Sequence, residues 1–186
     1  MTVLTPANQL TLLRMFLIPA FVILVVYGYL GWALAVFVTA GLTDALDGVI
    51  ARRSGQKTTL GAWLDPMADK LLLVTTFIVL TLPGLGLANR LPIWLTVLII
   101  SRDVGIVLTV AIVNFAVGRR TFQPSIYGKT ATATYIVTAV AAMVFNYLGY
   151  HSAIVDLGIF ASLAITLISG LHYLWHAARI FDAPAS

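Results

Sequence analysis

The sequence contains no cysteine and no glutamate. Without cysteine the chain can form no disulfide, no thiolate nucleophile and no cysteine-ligated zinc site. Any metal ligands must therefore be oxygen atoms or imidazole nitrogens. All seven acidic residues are aspartates, so the few carboxylates of this chain are the first places to look for chemistry.

Charge of either sign is also scarce. Only 10% of the 186 residues are charged, against about a quarter in ordinary soluble domains, whereas 60% are hydrophobic. This composition excludes a soluble globular domain and predicts an integral membrane protein. The net charge of +4 includes no long basic run, so we assign it to orientation at the membrane surface and expect no nucleic-acid partner. The first apolar run has no basic segment before it, and we expect no cleaved signal peptide.

Six apolar segments are each long enough to cross a bilayer as a helix, which takes about 20 residues. Their approximate limits are Leu10–Tyr29, Trp32–Arg53, Thr59–Leu82, Pro92–Val117, Ser125–Leu148 and Ala153–Arg179. Glycine and proline mark most of the breaks between them. We therefore predict an all-α, polytopic membrane protein with six transmembrane helices that form a single domain over residues 1–186.

The basic residues predict the orientation of these helices, because cytoplasmic loops carry the excess of lysine and arginine. The second and fourth connections hold the basic clusters Arg52, Arg53 and Lys57, and Arg119 and Arg120. The other connections hold only Arg90. Both termini are therefore predicted to be cytoplasmic.

Two consecutive predicted helices contain four of the aspartates. These are Asp44, Asp47, Asp65 and Asp69. A charged side chain at the bilayer centre costs about 2.5 to 3.5 kcal/mol on insertion scales, so such residues are presumed functional. Spacings of three and four residues place each pair on one helix face. Asp44 lies eight residues before Arg52 and Asp65 eight residues after Lys57, which predicts that these two lie at matching depth, roughly 12 Å inside the helix ends.

Four neighbouring carboxylates would repel one another and take up protons unless a cation shared their site. Hard divalent cations such as Mg²⁺, Mn²⁺ or Ca²⁺ prefer oxygen ligands and can hold substrate phosphates at the same time. Gly48, Ala51 and Gly61 keep the adjacent helix faces small, and Arg52 could clamp a phosphate with its planar guanidinium. We interpret this as a pyrophosphate site, although small residues are also common in ordinary membrane-helix packing.

The chain resembles the CDP-alcohol phosphotransferase family. The resemblance rests on the run Asp44-x-x-Asp47-Gly48-x-x-Ala51-Arg52 followed, after eight residues, by Gly61-x-x-x-Asp65-x-x-x-Asp69, which agrees with the family signature at every fixed position. It implies a homodimeric enzyme of six membrane helices in which the four aspartates bind two divalent metal ions, Mg²⁺ or Mn²⁺. It also implies that Asp69 is the general base and that the CDP-linked donor is contacted by Gly48, Ala51, Arg52 and Gly61.

The implied reaction is transfer of a phosphatidyl group from CDP-diacylglycerol to an alcohol, with release of CMP. Nothing in the sequence suggests a covalent nucleophile, so we expect direct in-line attack. The residues that flank the signature are most similar to those of cardiolipin synthases, which favours phosphatidylglycerol as the acceptor. The alternative acceptor is glycerol-3-phosphate, which phosphatidylglycerophosphate synthases use. The latter enzymes typically have Arg-Glu where this chain has Arg102-Asp103, with another arginine where Val107, Leu108 and Thr109 stand here.

Outside the signature, four basic residues are candidates for binding the acceptor phosphate: Arg102, Arg119, Arg120 and Lys129. Arg102 could instead form a structural ion pair with Asp103, but adjacent residues on a helix point apart, which favours the phosphate role. Lys129 could equally extend its ammonium group into the aqueous interface. Asn8, Thr11 and Arg14 form a polar stripe on the first helix that either lines the donor's access path or marks an interfacial helix end with a snorkelling arginine.

Clustered membrane aspartates also serve as ion or proton sites in carriers, which gives an alternative from a different class, an ion-coupled carrier. The fixed arginine and glycine positions, and the lack of two repeated halves, favour the enzyme. We expect its active site to face the cytoplasm, in a bacterial inner membrane.

Overall fold

The structure, a computed structural model, describes the backbone of residues 6–54, 59–117 and 125–182. Within these ranges it describes the side chains of residues 12–43, 68, 70–112, 115 and 125–175. The described residues form six helices: α1 (Pro6–Val26), α2 (Leu30–Ser54), α3 (Thr59–Thr81), α4 (Ile93–Val117), α5 (Ile126–Leu148) and α6 (Ala153–Asp182). Each predicted segment coincides with one helix, its ends differing by at most four residues, and the all-α prediction is confirmed for the described chain.

Glycines end two of the helices in the same way. Gly28 has φ = 78° and Gly149 has φ = 77°, a left-handed conformation that costs little only for glycine. The amide of the next residue then reaches back five positions, from Tyr29 to the Leu24 carbonyl (2.8 Å) and from Tyr150 to the Phe145 carbonyl (3.3 Å). These bonds satisfy carbonyl groups that the helix end would otherwise leave open.

Within the part of the chain whose side chains are described, three helices are long and apolar enough to cross a membrane, over Ile93–Ile112, Ile126–Leu148 and Ala153–Trp175. Among the described side chains, the other helices contribute shorter apolar runs at Leu12–Val26, Leu30–Thr43 and Lys70–Thr81. Large hydrophobic side chains such as Val107, Leu108 and Phe115 are exposed on α4, as lipid-facing residues should be. The membrane character is confirmed, and the crossing of all six helices stays a prediction.

The chain divides into two compact units. The first comprises Met1–Arg90 with Ala142–His151 and thus holds α1, α2, α3 and the end of α5. In this unit α1 packs against both α2 and α3. Its core contains Phe21 and Phe37, whose ring centroids lie 5.9 Å apart.

A pair of buried asparagines closes one end of the first unit. The backbone amide of Asn89 donates to Oδ1 of Asn146 (2.6 Å), and the side-chain amide of Asn89 donates to the carbonyl of Tyr150 (2.8 Å). Buried polar groups need such partners because an unpaired one costs about 1–3 kcal/mol. The pair therefore ties the chain after α3 to the end of α5.

The second unit comprises Leu91–Ala141 and Ser152–Ser186 and holds α4, most of α5, and α6. In this unit α4 packs against α6. Its core combines apolar side chains such as Leu95 and Ile99 with buried hydroxyl groups, among them Tyr135 and Ser162.

Candidate active site

The four aspartates of the signature lie on two helices of the first unit. Asp44 and Asp47 belong to α2, and Asp65 and Asp69 belong to α3. Because both segments are α-helical, the spacings of three and four residues place each pair on one helix face, as predicted. Their side chains lie outside the described residues, as do those of the other signature positions Gly48, Ala51, Arg52 and Gly61.

The helix ends refine the predicted levels of the aspartates. Asp44 lies ten residues before the end of α2 at Ser54, and Asp69 lies ten residues after the start of α3 at Thr59, about 15 Å along each helix. Asp47 and Asp65 lie seven and six residues from the same ends, or about 10 Å. Counted from these helix ends, Asp44 and Asp69 lie at one level and Asp47 and Asp65 at another. The matching depth of Asp44 and Asp65 stays a prediction.

This set of donors fits divalent metal ions. Four carboxylates at two levels on consecutive helices offer the hard oxygen ligands that Mg²⁺ and Mn²⁺ prefer. Among the side chains that the structure describes, no other group of three or more acidic or histidine residues could hold a metal. The aspartates of α2 and α3 are therefore the candidate metal ligands.

Arg14 on α1 is completely buried, with a relative exposure of 0%. A snorkelling arginine would keep its guanidinium in water, so this alternative for Arg14 is wrong. Asn8 and Thr11 also lie on α1, but their side chains are outside the described residues. The buried charge of Arg14 thus needs a partner inside the first unit.

Arg102 on α4 is held by two side chains. Its Nη1 atom forms an ion pair with Oδ1 of Asp103 at 2.7 Å, and its Nη2 atom donates a hydrogen bond to the Ser169 hydroxyl on α6. The expectation that Arg102 and Asp103 point apart is wrong, because the long arginine side chain folds back to its neighbour. In apolar surroundings an unpaired charge would be too costly.

Arg102 lies beside the first turn of α5. The hydroxyl of Ser125 caps this turn by accepting the amide of Gly128 at 3.0 Å, and a Cβ atom on Gly128 would lie 3.5 Å from Nη2 of Arg102. Lys129 is exposed on the same turn. A helix amino terminus is itself electropositive, so these groups concentrate positive potential. Arg119 and Arg120 fall outside the described residues.

The predictions did not include Ser169 or the two hydroxyl pairs that involve Ser162 and Thr166, which precede it on α6. Tyr135 and Thr166 are joined by a 2.6 Å hydrogen bond between their hydroxyls, and Thr138 and Ser162 by one of 3.1 Å. A polar stripe of Ser162, Thr166 and Ser169, spaced by four and three residues in an otherwise apolar helix, was the available signal.

The helical membrane fold and the aspartate pattern define a membrane-bound enzyme that transfers a substituted phosphate group. The chain matches the model of the CDP-alcohol phosphatidyltransferase family over residues 4–174 and belongs to this family. Its resemblance to that family is thus confirmed, and an ion-coupled carrier is no longer needed to explain the acids. Family members are generally dependent on divalent metals.

The proteins that are similar to this chain carry the names of two different enzymes. A Mycobacterium tuberculosis protein named "Probable phosphatidylglycerophosphate synthase" is 34% identical over 183 residues, covering 93% of this chain and 81% of that protein. The human cardiolipin synthase (CMP-forming) is 35% identical over 162 residues, covering 77% of this chain and 52% of that protein. The Streptomyces coelicolor cardiolipin synthase (CMP-forming) is 37% identical over 139 residues, with coverages of 70% and 60%. The chain is therefore an enzyme of phospholipid biosynthesis.

Proposed function

We propose that this enzyme transfers a phosphatidyl group from CDP-diacylglycerol to phosphatidylglycerol, forming cardiolipin and CMP. The observation that carries the proposal is the family spacing of Asp44, Asp47, Asp65 and Asp69 on two consecutive helices of one unit. Glycerol-3-phosphate is the alternative acceptor, since the relatives carry the names of both activities.

In this proposal the four aspartates hold two divalent ions, Mg²⁺ or Mn²⁺, which when bound neutralise the diphosphate of the donor. Arg52, Gly48, Ala51 and Gly61 contact the CDP group. Asp69 accepts the proton of the acceptor hydroxyl. The acceptor oxygen then attacks the phosphorus that bears the diacylglycerol, the bond from this phosphorus to the bridging oxygen breaks, and CMP leaves with that oxygen. The phosphatidyl group is never bonded covalently to a side chain of the enzyme during this transfer.

Arg102 and Lys129 are the proposed acceptor-binding residues, together with Arg119 and Arg120. The position of Arg102 beside the electropositive first turn of α5 supports this role. Asp103 neutralises the single charge of Arg102, so the modest positive excess comes from Lys129 and the amino terminus of α5. That excess suits the singly charged phosphodiester of phosphatidylglycerol better than a phosphate monoester, which carries about −1.5 to −2 at neutral pH.

We further propose six membrane crossings with both termini in the cytoplasm and the active site on that side. The basic second and fourth connections support this orientation. Similarity to bacterial relatives supports a location in a bacterial inner membrane. Residues 1–186 would act as one catalytic domain and pair as a homodimer, and the stripe of Asn8, Thr11 and Arg14 would line the path by which the donor arrives.

The test is CMP release by the purified protein with CDP-diacylglycerol, Mg²⁺ or Mn²⁺, and either phosphatidylglycerol or glycerol-3-phosphate. We expect CMP with phosphatidylglycerol, and cardiolipin in the lipid extract by mass spectrometry. Release with glycerol-3-phosphate alone would select the alternative acceptor. No CMP with any alcohol would refute the proposed reaction.

A further inference from the structure

The first unit encloses an arginine whose charge is completely removed from solvent. The side chain of Arg14 has 0% relative exposure and lies on α1, which packs against both α2 and α3. A guanidinium keeps its charge at any ordinary pH, so it cannot escape the cost of burial by losing a proton. An acidic group must therefore compensate it.

Only four acidic residues occur in the sequence of this unit. Residues 1–90 and 142–151 contain Asp44, Asp47, Asp65 and Asp69 and no other aspartate or glutamate. The remaining acids of the chain, Asp103, Asp156 and Asp182, belong to the second unit. Within its own unit, Arg14 can be compensated only by the acids of the proposed metal site.

The helix register places Arg14 at the right level. Residues 27–29 join α1 to α2 directly, and so short a connection makes the helices antiparallel neighbours. Arg14 lies twelve residues before the end of α1, Asp44 lies fourteen residues after the start of α2, and Asp69 lies twelve residues before the end of α3. These spacings correspond to about 18, 21 and 18 Å from the same end of the unit.

We infer that Arg14 is a resident counter-charge of the aspartate cluster, which holds the carboxylates together before metal binds and opposes the metal once it arrives. The inference rests on the proposed metal site. It adds to the place of Arg14 in the donor-access stripe a second role, in which its partners are carboxylates of this chain and not a substrate phosphate. Arg14 is thus a positioning residue for the aspartates.

The first experiment measures Mn²⁺ binding to the purified protein by the loss of the free-ion signal in electron paramagnetic resonance, without substrate. A positive charge close to a cation site weakens binding. Arg14→Gln should therefore bind Mn²⁺ about three- to tenfold more tightly than the wild type, and Arg14→Lys should stay near it. Arg90→Gln is the matched control, since Arg90 is an exposed arginine of the same unit, and its affinity should not change. Unchanged affinity in Arg14→Gln would overturn the inference.

The second experiment needs no metal. In excess chelator, Arg14→Gln should lower the thermal unfolding midpoint, because four carboxylates lose their compensation. Combining Arg14→Gln with Asp44→Asn or Asp69→Asn should recover part of the lowered unfolding midpoint, since one negative charge is removed with the positive one. If the decreases in midpoint of the two single variants simply add in the double variant, Arg14 does not compensate these acids.

The two experiments separate the failures. A wild type that binds no Mn²⁺ refutes the metal site of the proposed function, and the chelator experiment then still decides the role of Arg14. A wild type that binds Mn²⁺ while Arg14→Gln leaves the affinity unchanged refutes the inference alone and leaves the metal site of the proposed function standing.

Discussion

The guanidinium of Arg102 on α4 donates a hydrogen bond to the hydroxyl of Ser169 on α6 while its other end pairs with Asp103. The side chain of Arg102 is only 9% exposed, and among the described residues its Nε atom has no hydrogen-bond partner. Asp103 and Ser169 thus fix the orientation of the fork, while the Nε–H group stays without a partner among the described residues. Such an arrangement suits an arginine that is aimed at a ligand.

Ser169→Ala should weaken acceptor binding without touching the donor site. The lost hydrogen bond involves a charged group, so we expect about a tenfold rise in the KM for the acceptor, with little change in the KM for CDP-diacylglycerol. Ser169→Thr keeps the hydroxyl and should restore most of the loss. Ser162→Ala is the matched control, because Ser162 is equally buried on α6 but is bonded to Thr138. Equal effects of the two alanine variants would count against the assignment.

Asp69→Asn should abolish most of the activity while leaving the fold intact. Removal of a general base costs typically 10²–10⁴-fold, and loss of a metal-binding carboxylate adds to this. Steady-state CMP release measures the effect. Asp156→Asn removes a carboxylate from the second unit and should keep activity near the wild-type level. A fully active Asp69→Asn variant would show that the base lies elsewhere.

Chelation should stop the reaction reversibly. Treatment with excess chelator is expected to reduce CMP release to background, because without a bound cation the carboxylates of α2 and α3 would repel the anionic diphosphate of the donor. Adding Mg²⁺ or Mn²⁺ back should restore the rate, and Asp44→Asn should need a higher metal concentration for half of its own maximum. CMP release that persists after complete chelation would contradict the proposed metal dependence.

Gly158→Ala should destabilise the second unit. A Cβ atom at position 158 would lie 2.9 Å from Oγ1 of Thr138, closer than real contacts allow, and such overpacking costs typically 1–3 kcal/mol. Gly170→Ala on the same helix meets nothing within 4 Å and should be neutral or slightly stabilising, since alanine favours helix by up to about 1 kcal/mol. Thermal unfolding of both variants in the same detergent makes the comparison. A lower midpoint for Gly170→Ala than for Gly158→Ala would contradict it.

Asn146→Ala should cost about 1–3 kcal/mol of stability, because the buried amide of Asn89 would lose its acceptor. Asn89→Ala keeps the backbone amide that donates to Asn146 but removes the side-chain donor to Oδ1 of Asn146 and to the Tyr150 carbonyl. The double variant should cost less than the sum, since the contact between the two side chains is lost in each single variant. Denaturant unfolding measures the three values. Strict additivity would mean that the two amides do not depend on each other.

The helices and the aspartate signature could be predicted because they depend on local sequence. Apolar runs of about 20 residues, broken at Gly28 and Gly149, locate the helices without knowledge of their neighbours. The partners of Arg102 and the burial of Arg14 could not be predicted in this way. Ser169 is 67 residues from Arg102 in the chain, and the exposure of Arg14 depends on how α2 and α3 cover α1. Such features depend on how the helices pack, and the only trace of that packing in the sequence is the weak polar stripe of α6.

The paired hydroxyls between α5 and α6 have a consequence for assembly in the membrane. Lipid tails are as apolar as leucine, so apolar contacts do little to favour one axial alignment of two neighbouring helices over another. The hydrogen bonds from Tyr135 to Thr166 and from Thr138 to Ser162 favour one alignment of α5 and α6. A shift of α6 by one turn, about 5.4 Å, would break both bonds together. These hydroxyls therefore fix the alignment of α6, and with it the position at which Ser169 meets Arg102.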